Sequence, residues 1–243
     1  MACDFGGPMG PIDLRLLDHL LAQPASSPDR PRFVYTGGCW LFGATGDTLA
    51  TEVSKLLPLA AFAWMVPHAD RILGSKDVTG IVVHPGMVYT DHGGGVFRRF
   101  ARDAVERSSV RVVGNEAVHW PLVHADDLAV LYALALEHAP AGESYIGVAT
   151  EGLAVGRIAR AFARRFGTRL TEPEIVSADA IVGELGEWAR GYGLHQRLSS
   201  AKARDELGWW PKHTDPEAEI ARLSCLLSAA RDVGAGYLEQ LSQ

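Results

Sequence analysis

Two short apolar runs without polar alternation leave this chain few architectures: Phe33 to Tyr35, within "RFVYTGG", and Thr79 to Tyr89, "TGIVVHPGMVY". A strand with one wet face alternates polar and apolar residues, so an unbroken run marks a strand covered on both faces, as in a parallel sheet between helices. Leu56 to Gly74 lies between them with helical composition, the spacing of a βαβ crossover, and Pro67 predicts a kink or break inside that helix. Upstream, Leu14, Leu17, Leu20 and Leu21 share one helical face, and the prolines after Gln23 end it. Downstream, helices are expected over 96–107, 126–137 and 155–166, the second capped by Asp126 or Asp127 and the third closed by Gly167. A strand opens at Glu143. After Thr168 the pattern loosens into a small helical lobe, in which Trp209 and Trp210 are expected to pack. Residues 1–167 thus read as an α/β core and 168–243 as a C-terminal lobe, together one compact unit.

Charge and cysteine usage exclude several classes. The net charge is −6 and the basic residues are scattered, without the clustered stripe that nucleic-acid binding needs. Three cysteines, Cys3, Cys39 and Cys225, stand far apart with no C-x-x-C pair, so neither a disulfide framework nor a structural zinc site is expected. His124, Asp126 and Asp127 in "VHADDLA" read as capping and bracing groups, and no metal site is expected. There is no 18-residue apolar run and no secretory signal at the N-terminus, which predicts a soluble cytoplasmic protein without a membrane partner.

Five stretches carry a resemblance: "RFVYTGGCWLFG", "VVHPGMVY" followed by "GGG", "HWPLVHADDLAVLYALALE", "SYIGVATEGLAVGRIARAFARRFG" and "SSAKARDELGWWP". In order and spacing the chain resembles the extended short-chain dehydrogenase/reductase family, the NAD-dependent epimerase/dehydratase group. The resemblance implies a partial Rossmann-like parallel sheet, from the side of strands four to seven only. Helices cover both faces, and a small, mainly helical C-terminal lobe closes over a small-molecule substrate. Family members open with a strand and a G-x-x-G-x-x-G turn, whose glycines and helix N-terminus hold a pyrophosphate. Here "FGGPMGP" at 5–11 has no strand before it, and by position it matches the segment after the family's fourth strand. The family's catalytic hydroxyl falls on Gly38, or on Gly37 if the register slips by one. Its Tyr-x-x-x-Lys is absent from the following helix, where Trp64 and His68 stand four apart.

These departures predict a truncated scaffold without a nicotinamide cofactor, with NAD or NADP as the alternative. Catalytic candidates are His68 as a general acid or base and the loop residues Tyr89, Asp91 and His92 as a proton relay. Candidates for substrate contact are Thr36, Cys39 and Trp40 at the first turn, Trp64 beside His68, and His84 and Met87 at the second strand's carboxyl end. Trp188, Tyr192 and Arg197 are added from the lobe, where an aromatic pair could wall an apolar pocket. The expected activity is cofactor-independent acid/base chemistry, such as cyclisation, isomerisation, dehydration or addition, on a planar or polyketide-like metabolite in natural-product biosynthesis. The alternatives are an NAD(P)-dependent epimerase or reductase lacking its N-terminal cofactor half, and a non-catalytic partner that completes another chain. An open sheet edge beside the first strand predicts a homodimer; a second polypeptide or residues 1–30 are the other ways to cover it.

Overall fold

The computed structural model describes residues 9–22, 30–91 and 93–223. Strand alternation explains the unbroken apolar runs. In β2 (Thr79–Pro85), Val82 joins Leu17 of α1 (Met9–Leu21), Tyr35 of β1 (Arg32–Thr36) and Ala69 and Ile72 of α2 (Met65–Leu73) in one core cluster. Its neighbours Ile81 and Val83 point the other way. They pack with Leu128, Leu131 and Ala135 of α4 (Ala125–His138) and with Trp209. Successive side chains of one strand therefore enter two cores, and both must be apolar.

β1, β2 and β6 (Glu143–Gly147) form a parallel sheet in the order β1-β2-β6. Among the described residues, β1 pairs only with β2, and its other edge carries no strand. A second sheet runs β3 (Met87–Tyr89), β5 (His119–His124), β7 (Thr150–Ala154), the β5/β7 pair antiparallel. The run expected as one strand from Thr79 to Tyr89 is thus divided between two sheets. The break is Gly86, whose N–H donates to the Gly147 carbonyl at 3.0 Å and whose backbone lies so close to β5 that a Cβ would stand 2.8 Å from the Pro121 carbonyl oxygen. Only glycine permits that approach.

The largest core cluster joins Phe97 and Phe100 of α3 (Phe97–Arg107), Trp120, and Phe162 of α5 (Val155–Phe166). It extends past Thr168 to Ile181 of α6 (Ala178–Leu185), to Tyr192 and to Ile220 of α8 (Pro216–Arg222). β4 (Arg111–Val113) pairs in parallel with β8 (Glu174–Val176), and α7 (Ala201–Leu207) packs beside β6. The C-terminal segment, expected to be helical, therefore also contributes a strand. Gly167 closes α5 in the left-handed conformation, at φ 62.

Three local expectations are corrected. Pro67 does not kink a helix: α2 starts only at Met65 after a 3-10 turn over Ala60–Phe62, so Pro67 lies in the first turn, where its missing N–H has no intrahelical partner. Neither Asp126 nor Asp127 caps α4. His124 does, its Nδ1 facing the Asp126 N–H at 3.2 Å, while Asp127 receives the backbone N–H groups of Lys212 and His213 at 2.9 and 2.8 Å and so ties down the C-terminal segment. Trp209 is fully buried, with its indole N–H on the Asp127 carbonyl, but Trp210 is 71% exposed.

Candidate functional site

The carboxyl ends of β1 and β2 open onto a cavity of about 430 Å³. Its floor is Gly37 to Leu41 after β1 and Pro85 to Val88 across the β2–β3 break; Phe62, Trp64, Met65, Gly95, Val96 and Tyr192 wall it, with Met9 at one side. Ligands of open α/β sheets bind at this edge, because loops leaving the strand ends diverge there and leave a crevice.

The turn after β1 is pinned from behind. The Gln196 side-chain amide donates to the carbonyls of Cys39 and Gly43 at 2.7 and 2.6 Å, which fixes the 3-10 turn Cys39–Phe42. Trp40 then lies against Gly191, where a Cβ would come within 2.3 Å of its ring, and meets Tyr192 edge-on with centroids 5.7 Å apart. The Trp120 indole N–H holds the Tyr192 carbonyl at 3.0 Å. Burial pushes the Cys39 thiol up to about 12, so at neutral pH it is an apolar wall and not a nucleophile.

Gly37 and Gly38 differ sharply. A Cβ on Gly37 would lie 2.3 Å from Nδ1 of His84, whereas one on Gly38 meets no atom within 4 Å. His84 is 5% exposed, packs edge-on against Phe42, and faces the Gly38 N–H through Nδ1 at a long 3.4 Å. Burial lowers its pKa to about 4. It supports the floor from below and is not among the residues lining the cavity. We expect Gly37→Ser to cost about 2 kcal/mol by overpacking against the buried imidazole. Gly38→Ser, at an extended φ of 172, should leave stability within about 1 kcal/mol of the native chain. Urea denaturation of the two variants checks this, and equal losses would show that the two glycines are not distinguished by His84.

His68 lies behind the Trp64 wall. Its Nδ1 is 2.6 Å from Asp13 Oδ2, which also accepts the Tyr35 hydroxyl at 2.8 Å, and its ring meets Trp64 edge-on at 5.3 Å. A carboxylate shared in this way fixes the His68 tautomer with the proton on Nδ1 and leaves Nε2 as the basic nitrogen. Burial and the neighbouring Asp13 together hold the Tyr35 hydroxyl far above the usual phenol range. Nothing in the sequence spacing links Asp13 to His68, 55 positions away.

Of the residues expected from sequence, Cys39, Trp40, Trp64, Met87 and Tyr192 come together around the cavity. The others do not line it. Thr36 turns to α4, its Oγ1 2.7 Å from the Tyr132 hydroxyl. Trp188 lies outside Trp40 and Tyr192, tilted against the first and edge-on to the second, and is exposed. The Arg197 backbone N–H holds Thr45 Oγ1, and its side chain passes Gly152. The proposed relay is also dispersed. Tyr89 is fully buried, stacked on Phe97 with its hydroxyl on the His213 carbonyl; Asp91 is exposed, with its backbone N–H on His124 Nε2; His92 lies outside the described residues. His124, Asp126 and His213 converge closely enough to hold a cation, but the two imidazoles are stacked at 3.9 Å. Both His124 nitrogens face backbone N–H groups, and His213 Nδ1 lies against Asp127, so the cluster braces the C-terminal segment.

A family model described as the NAD dependent epimerase/dehydratase family matches residues 11–147, more than half of the chain. The chain belongs to that family. It is 34% identical over 110 residues to an uncharacterised protein of Schizosaccharomyces pombe, covering 45% of this chain and 36% of that protein. In fold it is similar to the human epimerase family protein SDR39U1 solved with NADPH, at a TM-score of 0.73 and 18% identity over 88% of this chain and 72% of that one. It is also similar to the dTDP-glucose 4,6-dehydratase DesIV of Streptomyces venezuelae with NAD and TYD bound, at a TM-score of 0.66 and 19% identity over 88% of this chain and 62% of that one. The chain therefore spans about a third of the yeast relative and under two thirds of the S. venezuelae enzyme.

These findings overturn the expectation of chemistry without a cofactor: the family is NAD-dependent, and both structural neighbours hold NAD or NADPH. The chemistry of the cavity would suit the planar end of such a cofactor. Gly38 leaves open space where a side chain would stand, and the surrounding wall is apolar and aromatic. No glycine turn after a strand lies at the open edge of β1 among the described residues, which therefore offer no cradle for the pyrophosphate. No described helix is long and apolar enough to cross a membrane.

Proposed function

We propose that this chain forms the substrate-facing half of an NAD(P)-dependent epimerase- or reductase-type site. The observation that carries this reading is the cavity at the carboxyl ends of β1 and β2, with the side-chain-free Gly38 in its floor and Trp64 on one wall, in front of the Asp13-held His68. Gly38, Pro85, Gly86 and Met87 would hold the nicotinamide ring, which supplies hydride exchange when bound. A small substrate would share the space with it, between Trp40, Trp64 and Tyr192. Their apolar surfaces exclude water and orient the reacting carbon. His68, held by Asp13 in one tautomer behind Trp64, would reach the substrate proton through Nε2 only once the Trp64 ring turns aside, taking the task that the family's tyrosine performs on this helix.

Titration with NADH and NADPH, followed by energy transfer from tryptophan to the reduced nicotinamide, tests the reading. Trp40 and Trp64 stand in the cavity wall, so one equivalent of bound cofactor should quench protein emission and sensitise its own. Gly38→Leu, which fills the cavity where no other atom stands, should abolish the transfer while the protein remains folded. A folded native chain that binds neither cofactor at millimolar concentration would overturn the proposal.

A further inference from the structure

Arg99, on α3, is 6% exposed, and all three of its guanidinium nitrogens are buried without a hydrogen-bond partner among the described residues. Its nearest carboxylate, Asp103, is 3.8 Å away and already committed: Arg111 donates to its two oxygens through Nε and Nη2 at 3.1 and 2.9 Å, and through its backbone N–H at 3.2 Å. Two buried guanidinium groups thus share one buried carboxylate. Glu184, which binds the other side of Arg111, lies at the surface. Two aromatic rings face Arg99, its central carbon 4.8 Å from the Phe100 ring centroid and 5.0 Å from that of Tyr192, and the charges of Arg102 and Arg111 act against it. Ring faces attract a cation but offer no acceptor for its N–H groups. Leaving five such donors unmet in the interior is costly, so a native fold that retains such a group calls for something that answers it, a water, an ion or a ligand.

The place for that ligand adjoins the cavity. Tyr192 lines the cavity and also lies under the Arg99 guanidinium; Val96, another wall residue, is one helical turn before Arg99. We propose that Arg99 recognises an oxyanion, a carboxylate or phosphate group carried by the substrate, with the Tyr192 ring turning aside to admit it. The planar fork of arginine suits two parallel hydrogen bonds to such a group. This assignment rests on the function proposed above only in giving the anion to the substrate; anion binding itself needs neither cofactor nor turnover.

Thermal melting in sodium phosphate and sodium acetate, against sodium chloride at equal ionic strength, provides the test. The native chain should melt several degrees higher in at least one oxyanion, with saturation. Arg99→Met should melt at or above the native chain in chloride, since it removes an unmet buried cation, and should lose the oxyanion response. Arg99→Lys should retain part of that response, which keeps the test decisive if the methionine variant does not fold. No oxyanion response in the native chain, or an equal response in Arg99→Met, overturns the proposal. So does a loss of NADPH affinity in Arg99→Met, which would give the anion to the cofactor. An oxyanion response in a protein that binds no nicotinamide would instead retain this site and sink the proposed function.

Discussion

Asp103→Asn should destabilise the fold by about 3 to 5 kcal/mol, the usual consequence of removing one partner from a buried ion pair. The side chain is 1% exposed and accepts three hydrogen bonds from Arg111, while Arg99 and Arg107 approach it at 3.8 and 3.5 Å. An amide there keeps the shape, replaces one acceptor oxygen with a donor nitrogen and withdraws the only buried negative charge in the cluster. Arg111 retains Glu184, whereas Arg99 loses its nearest carboxylate and keeps its two ring contacts. Guanidinium chloride denaturation measures the loss. The double variant Asp103→Asn, Arg99→Met should lose at least 1 kcal/mol less than the sum of the two single changes, because contacting charges couple. A loss below about 1 kcal/mol for Asp103→Asn would mean that the cluster is not charge-balanced by this carboxylate.

That cluster also shows what the sequence could convey. Arg99 and Asp103 are four apart on a helix, so their pairing is legible as an ordinary surface bridge. Their burial is not, since it depends on Arg111 from β4 and Tyr192 from a segment more than 80 residues downstream. The same limit hid Asp13, whose role rests on α1 packing against α2. What depends on local period was readable: β1, α3, α5 and its Gly167 stop follow from apolar patterning and one glycine, and so does β2, though not its end at Gly86. What depends on the neighbours that the rest of the fold brings to a residue was not. Tyr89 follows Met87 by two, and the two share the inner side of β3, but Met87 reaches the cavity while Tyr89 continues into the core beneath Phe97. The loop cluster of Tyr89, Asp91 and His92 had the composition of a relay, yet its tyrosine was already part of the hydrophobic interior.

The family resemblance was legible, but the missing Tyr-x-x-x-Lys and glycine turn weighed too heavily against a cofactor. Sequence motifs report particular contacts, whereas the ring end of a nicotinamide site is made largely by backbone shape. In the proposed site, Gly38 and the Pro85–Gly86 break would provide that shape without a polar signature. Two glycines in succession could not be told apart by sequence, since the reason Gly37 must be glycine is an imidazole from the neighbouring strand.

That imidazole makes stability depend on pH with a definite sign. Burial lowers the His84 pKa from 6.5 to about 4, so the folded chain keeps it neutral where the unfolded chain would protonate it. Stability is fully present above pH 6.5, falls as the unfolded state takes up its proton, and levels off once the folded state is protonated near pH 4. The expected loss between pH 7 and pH 4 is about 3 kcal/mol from this residue alone. His84→Gln, which keeps an acceptor for the Gly38 N–H but cannot titrate, should lose that much less over the same interval in urea melts. An unchanged pH profile in His84→Gln would show that the imidazole is not the responsible group. The coupling reaches the site as well. A protonated Nδ1 can no longer accept from Gly38, and it would turn a donor toward the floor that carries the cavity. Ligand affinity at the cavity should therefore weaken over the same acidic range in the native chain and hold steadier in His84→Gln.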